Sequence, residues 1–220
     1  MDSLWQLALD SLWPMVSGAL TATIPLAIIS FALGLAVALM VALMRISTNK
    51  VVSGIARGYI SIIRGTPLLV QLFVIFYGLP SVGITIDPWP SAIIAFTLNV
   101  GGYAAEIIRA AILSVPGGQW EAGYTIGMSK TRTLYKLILP QAARVAIPPL
   151  SNTFISLVKD TSLASMILVT EMFRRAQEIA ATTYEFMLLY MEAAAIYWVI
   201  CLVLSAVQDR MESRLEKYVA

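Results

Sequence analysis

Three charged residues stand in otherwise apolar sequence: Lys159 and Asp160 within FISLVKDTSLAS, and Glu192 within FMLLYMEAAAIYW. A lone charge in a membrane-spanning helix costs about 2.5–3.5 kcal/mol on insertion scales, so such residues face a polar cavity or a partner. Neighbours on a helix point about 100° apart, so a direct Lys159–Asp160 pair is not expected while the helix continues. Glu192 is the candidate partner for Lys159, and Asp160 the candidate cap for a helix restarting at Thr161-Ser162. Two roles remain open for this set. Either it offers both signs of charge to a solute carrying an ammonium and a carboxylate, or it is a structural ion pair joining two spans. Glu106 and Arg109, three residues apart, can meet on one helix face. With Arg64 at the same boundary they either anchor helix ends or gate an inner mouth.

Other chemistries are excluded. The chain has no histidine and one cysteine, which removes Ser-His-Asp and Cys-His catalysis and the common transition-metal sites. Cys201 can form no intrachain disulfide and reads as a small core residue. No G-x-x-x-x-G-K-[ST] phosphate loop is present. The expectation is therefore no catalytic residue, no metal and no cofactor in this chain.

The elements that must position these residues are membrane helices. Of 220 residues, 59% are apolar and only 13% charged, against about 25% charged in soluble domains; mean hydropathy is +0.80. No charge falls between Asp10 and Arg45, or between Arg64 and Asp87. Five spans follow, near Leu12–Met44, Leu68–Leu79 with its flanks, Ser91–Ile112, Ala146–Thr170 and Phe186–Val207. The second is short and bracketed by Pro67 and Pro80. Continuous apolar runs rather than alternation make this an all-α membrane protein, not a barrel.

All but three of the 15 lysines and arginines fall between spans one and two, between three and four, or after five; the exceptions are Lys159, Arg174 and Arg175. The positive-inside rule then places the N-terminus outside and the C-terminus in the cytoplasm. The net charge of +2 reports this topology and no nucleic-acid partner. Acidic first residues and a long first apolar run argue against a cleaved signal peptide. With no linker or internal repeat, residues 1–220 read as a single membrane domain. Five spans make a narrow path, so a second copy or a related subunit is expected. Gly34, Ala38 and Ala42 form a small-residue seam, either within the subunit or toward that second copy.

Between spans three and four lies a polar, basic loop, residues 117–141. Gln119–Met128 and Lys130–Leu139 read as two short helices broken near Gly127, the second capped by Ser129 and stopped by Pro140. Leu134, Leu137 and Ile138 share one face of the second helix while Lys130 and Lys136 stay polar. Such an element either lies on the membrane surface or enters a partner's groove.

The run EAGYTIGMSKTRTLYKLILP, Glu121 to Pro140, resembles the E-A-A-x3-G-x9-I-x-L-P loop of ABC importer membrane subunits, departing at Gly123 and Leu137. RGTP at 64–67, AAEIIRAAI at 104–112, GQWEA at 118–122 and SLVKDTSLAS at 156–165 resemble the polar amino-acid subgroup, closest in wording to bacterial L-cystine permeases. The resemblance implies a type I ABC importer membrane-domain fold. It also implies a multi-pass permease subunit of the bacterial cytoplasmic (inner) membrane, importing a polar amino acid such as L-cystine. In that family the loop is a coupling helix seated in a cleft of the ATPase, a role carried here to Glu121, Ala122, Gly127, Leu139 and Pro140. The implied partners are a cytoplasmic ABC ATPase dimer that binds ATP and Mg, a second membrane subunit (a homodimer first), an external or periplasmic amino-acid-binding protein, and lipid. An ion-coupled secondary transporter, or a scaffold docking a cytoplasmic partner without moving solute, is the alternative.

Overall fold

The computed structural model describes residues 2–216; Lys217, counted above among the cytoplasmic charges, lies outside them. Every regular element among the described residues is helical. α1 (Asp2–Gly18) passes through a π turn (Ala19–Thr23) into α2 (Ile24–Arg45). Together they form a helix of 43 residues from Ser3, about 65 Å at 1.5 Å per residue and so far longer than a bilayer core. α3 (Lys50–Gly65) follows, then α4 (Leu68–Phe73), a π turn (Val74–Gly78) and a 3-10 turn (Leu79–Val82). α5 (Pro88–Ser114) leads to the loop helices α6 (Gly117–Thr125) and α7 (Lys130–Thr133). A third π turn (Leu134–Ile138) enters α8 (Leu139–Asp160), and a 3-10 segment (Thr161–Ile167) precedes α9 (Met172–Thr183) and α10 (Phe186–Glu216).

Among the described residues three helices are long and apolar enough to cross a membrane, and two bent pairs bring the number to five if each pair is one span. The bends are 104° between α3 and Leu68–Val82, and 49° between Lys130–Ile167 and α9. The short second span is thus the most sharply bent. Its lead-in, expected to be loop, is the amphipathic helix α3, which buries Ala56, Ile60 and Ile63.

Contacts divide the chain into two compact units. One comprises the residues up to Leu33, Thr66–Thr97 and Phe154–Val207. Its core packs Met15 and Ala19 against Met172, Ala176, Ala180, Leu189 and Ala193. Small residues let α1 and α9 approach: a Cβ on Gly18 would lie 3.1 Å from Met172 Cα.

The other unit comprises Gly34–Gly65, Leu98–Thr153 and the chain from Gln208 on. A Cβ on Gly101 would meet Tyr59 Oη at 2.6 Å and Val37 Cγ1 at 2.7 Å, and one on Gly102 would meet Ile63 Cγ2 at 2.6 Å. The adjacent glycines therefore let α2 and α3 both press onto α5, where Tyr59 donates to the Leu98 carbonyl at 2.6 Å. The Gly34, Ala38, Ala42 seam is buried inside this unit, which assigns it to packing within the subunit.

Pro140 does not stop the loop's second helix. It is the second residue of α8, directly after the π turn in which the Leu139 N–H reaches back to the Leu134 carbonyl. The widened turn admits a ring that would otherwise clash with a carbonyl one turn earlier, and it absorbs the missing N–H.

Candidate coupling loop and solute path

The loop is built by a break and two locks. At the break, Gly127 N–H donates to the Tyr124 carbonyl and Met128 N–H to the Gly123 carbonyl, each at 2.9 Å. This paired closure ends a helix through a left-handed residue, and Gly127 supplies it with φ +74°. Beyond the break, Ser129 Oγ accepts the Arg132 N–H at 3.3 Å and caps α7. One lock is Gly123 against Thr133, both buried. The other is a core of Ile112, Ile138, Ala142 and Ala146, onto which Trp120, Leu134 and Leu137 pack. The apolar face read from the sequence therefore covers the protein's own core.

What remains outward is the opposite side of α6. Glu121 and Ala122 are exposed, and beside the break Tyr124 and Ile126 are 47% and 74% exposed. Periodicity did not single out these last two; their mark is two large apolar residues flanking a glycine break. Leu139 is half-buried and Pro140 exposed.

Of the inner-mouth set, Arg109 grips Glu106 with both Nε and Nη2, the shortest contact 2.8 Å. Arg45, not anticipated, approaches the same carboxylate at 3.4 Å from the end of α2. Arg64 lies over the Tyr103 ring, 5.3 Å from its centroid, one turn from Glu106 on α5. Arg109 satisfies the Glu106 carboxylate, whereas the buried Arg45 Nε approaches it as an ion pair without a hydrogen bond. The arrangement neutralises one acid with two bases and leaves a local excess of positive charge.

The three span charges are not brought together. Lys159 is exposed at the last turn of α8, and Asp160 is half-buried beside it. Glu192 in α10 instead accepts from Ser11 Oγ in α1 at 2.6 Å, bordering an apolar cavity of about 440 Å³ lined by Leu12, Val16 and Ile196. Among the described residues no salt bridge joins Lys159 to either acid, which corrects the Lys159–Glu192 pairing. Asp160 heads the 3-10 segment without a side-chain capping bond, which corrects the capping expectation. The carboxyl that caps is Glu171, which accepts from the first turn of α9. A Glu between an apolar run and the amphipathic MFRRAQEIA is the sequence signal for this cap, a weak one because Glu is not among the preferred cap residues.

Apolar helices crossing a membrane, an interrupted span carrying charge, and a compact polar loop between spans define a multi-pass transport subunit. The chain belongs to the family of binding-protein-dependent transport system inner membrane components, matched over residues 34–217. It is 60% identical to the L-cystine transport system permease protein TcyB of Bacillus subtilis (strain 168), across 98% of this chain and 93% of that one. It is 36% identical to the glutamine transport system permease protein GlnP of Escherichia coli (strain K12), across 94% and 97%. The crystal structure of an amino acid ABC transporter with histidines superimposes with TM-score 0.85 at 36% identity, covering 91% of this chain and 94% of that one. The inward-facing MetNI methionine ABC transporter shares the fold, with TM-score 0.72 at 18% identity over 98% and 99%. The chain is thus a permease subunit, and ATP hydrolysis belongs to a separate subunit.

Proposed function

We propose that this permease subunit carries L-cystine across the bacterial cytoplasmic membrane, driven by an ATPase that binds ATP and Mg. The observation that carries the solute is the 60% identity to a cystine permease, against 36% to a glutamine permease. The N-terminus faces outward and the basic loops and C-terminus face the cytoplasm, following the positive-inside distribution. The chain acts as one membrane domain. Two copies form the path, two cytoplasmic ATPases sit below it, and an external binding protein delivers the amino acid.

In this reading α6, the Gly127 break and α7 seat in the ATPase. Glu121, Ala122 and Gly127 form the contact, with Tyr124 and Ile126 added by their exposure. Leu139 and Pro140 join the loop to α8, so movement of the loop is movement of α8. That helix ends at Lys159–Asp160, which offer a solute both signs of charge. Glu106, Arg109 and Arg64 line the inner mouth. Closure of the ATPases on ATP pulls both loops and turns the path outward.

The test is recovery of the ATPase with tagged subunit from native membranes, followed by uptake of labelled cystine. Parent chain should recover the ATPase and Gly127→Arg should lose it, because a side chain at φ +74° strains the break. Recovery by both chains would remove the loop from coupling. Saturable uptake of another amino acid in preference to cystine would sink the solute assignment.

A further inference from the structure

The residues assigned above leave out the most buried acid among the described residues. Glu171 is 0% exposed, and among the described residues no salt bridge reaches it. It is held by hydrogen bonds from three directions. The N–H groups of Phe173 and Arg174 donate at 2.9 and 2.7 Å. Tyr197 Oη in α10 donates at 3.0 Å. Thr23 Oγ1 donates at 3.4 Å and itself accepts the Met172 N–H at 3.2 Å. In the 3-10 segment that precedes this network, Tyr77 Oη donates to the Met166 carbonyl at 3.0 Å.

Thr161–Ile167 is therefore fastened at Met166, and the chain just beyond it is fastened at Glu171 and Met172. Two of the fasteners, Thr23 and Tyr77, lie in π turns, a local form that recurs at functional positions. The segment ends on Leu168 at φ +67°, a left-handed backbone that is strained for a residue with a side chain. Strain of this kind persists only where the surroundings over-determine the geometry. Here the surroundings are hydroxyls from separate elements, one bonded at Met166 and two at Glu171 and Met172 just beyond Leu168, so shifting any one of those elements breaks a bond at or beside the segment rather than stretching a continuous helix.

We propose that Glu171, Tyr197, Thr23 and Tyr77 are positioning residues that hold Thr161–Leu168 in one of two arrangements, and so set the balance between states of the transport cycle. This rests on the chain's acting as an importer subunit and not on which amino acid it carries. None of the four needs to touch solute. Their bonds are made in this arrangement; around Glu171 and Thr23, both 0% exposed, deleting one partner leaves another buried polar group unsatisfied, whereas the Tyr77–Met166 bond is an exposed tether.

The experiment uses the complete complex in lipid nanodiscs, with ATPase and binding protein. Leu168, 56% exposed, is replaced by Cys in a Cys201→Ser background and labelled with a maleimide. Tyr197→Phe and Tyr77→Phe each remove one hydroxyl and keep the ring, and Glu171→Gln keeps the shape. Each Phe variant should change the labelling rate, and the ratio of binding-protein-stimulated to basal ATP hydrolysis, by about fivefold, the worth of one hydrogen bond. Recovery of assembled complex should stay at the parent level. Either readout within twofold of the parent for both Phe variants overturns the proposal. So does loss of assembly in proportion to the change, which marks a folding role only. Failure of the parent to import any amino acid counts against the importer reading instead, and the labelling rate still reports on the segment.

Discussion

Thr133 fills the space where Gly123 has no side chain: a Cβ on the glycine would lie 2.6 Å from both Cγ2 and Oγ1 of the threonine. A glycine within α6 costs up to about 1 kcal/mol relative to alanine, and here it gives close contact between the two helices of the loop. Gly123→Ala should therefore loosen the loop by about 1–3 kcal/mol, the usual range for overpacking. ATPase recovery from membranes should fall accordingly. Adding Thr133→Ala to that variant should restore most of it. A double variant no better than the single would show that the two residues do not act as a pair.

Tyr184 ends α9 in a left-handed conformation, φ +61°, with its N–H on the Ala180 carbonyl at 2.8 Å. It is 78% exposed, so its ring contributes little packing. Tyr184→Gly should stabilise the protein by about 1 kcal/mol. Thermal unfolding in detergent reads this as a higher midpoint, and a lower one would mean the ring has a partner that outweighs the strain.

Glu106 meets Arg109 at 2.8 Å and Arg45 at 3.4 Å, with its own side chain 21% exposed. Glu106→Gln should destabilise by about 1 kcal/mol and leave two guanidinium groups facing each other. The gap between parent and variant should narrow in 1 M salt, where the Debye length falls to about 3 Å. An unchanged gap would point to hydrogen-bond shape rather than charge.

Lys159 is exposed at the end of α8 and Glu192 is bound to Ser11. Exchanging the two charges, Lys159→Glu with Glu192→Lys, should not restore uptake lost in either single change. Lys159→Met should lower maximal uptake by about tenfold, the order of one desolvated charge contact, with normal recovery of the complex. Restoration by the exchange would return the structural ion pair and end the solute-contact role.

Much of the architecture was open to a reader of the chain because membrane helices declare themselves by apolar length. The Gly127 break, the Ser129 cap and the Glu106–Arg109 pair were legible for a related reason: each depends on residues three to five apart. Long-range fits were not. Nothing local marks Thr133 as the partner of Gly123, or Tyr197 as a donor to Glu171. Pro140 misled because a π turn, which has no strong composition signature, cancels the usual stop. Lys159 and Glu192 were matched by charge alone, although a serine in the first helix already held the acid.

Each π turn is the trace of one residue more than an α-helix needs. Removing a single residue from Ala19–Thr23 would let that stretch close as ordinary α-helix, and would swing the residues from Ile24 to Leu33 by about 100° about the helix axis. Leu26 and Ala27, now fully enclosed, would turn away and their neighbours would take their place. The extra residue therefore works as a rotational shim: its presence decides which side of this stretch of helix is offered to the unit it packs in.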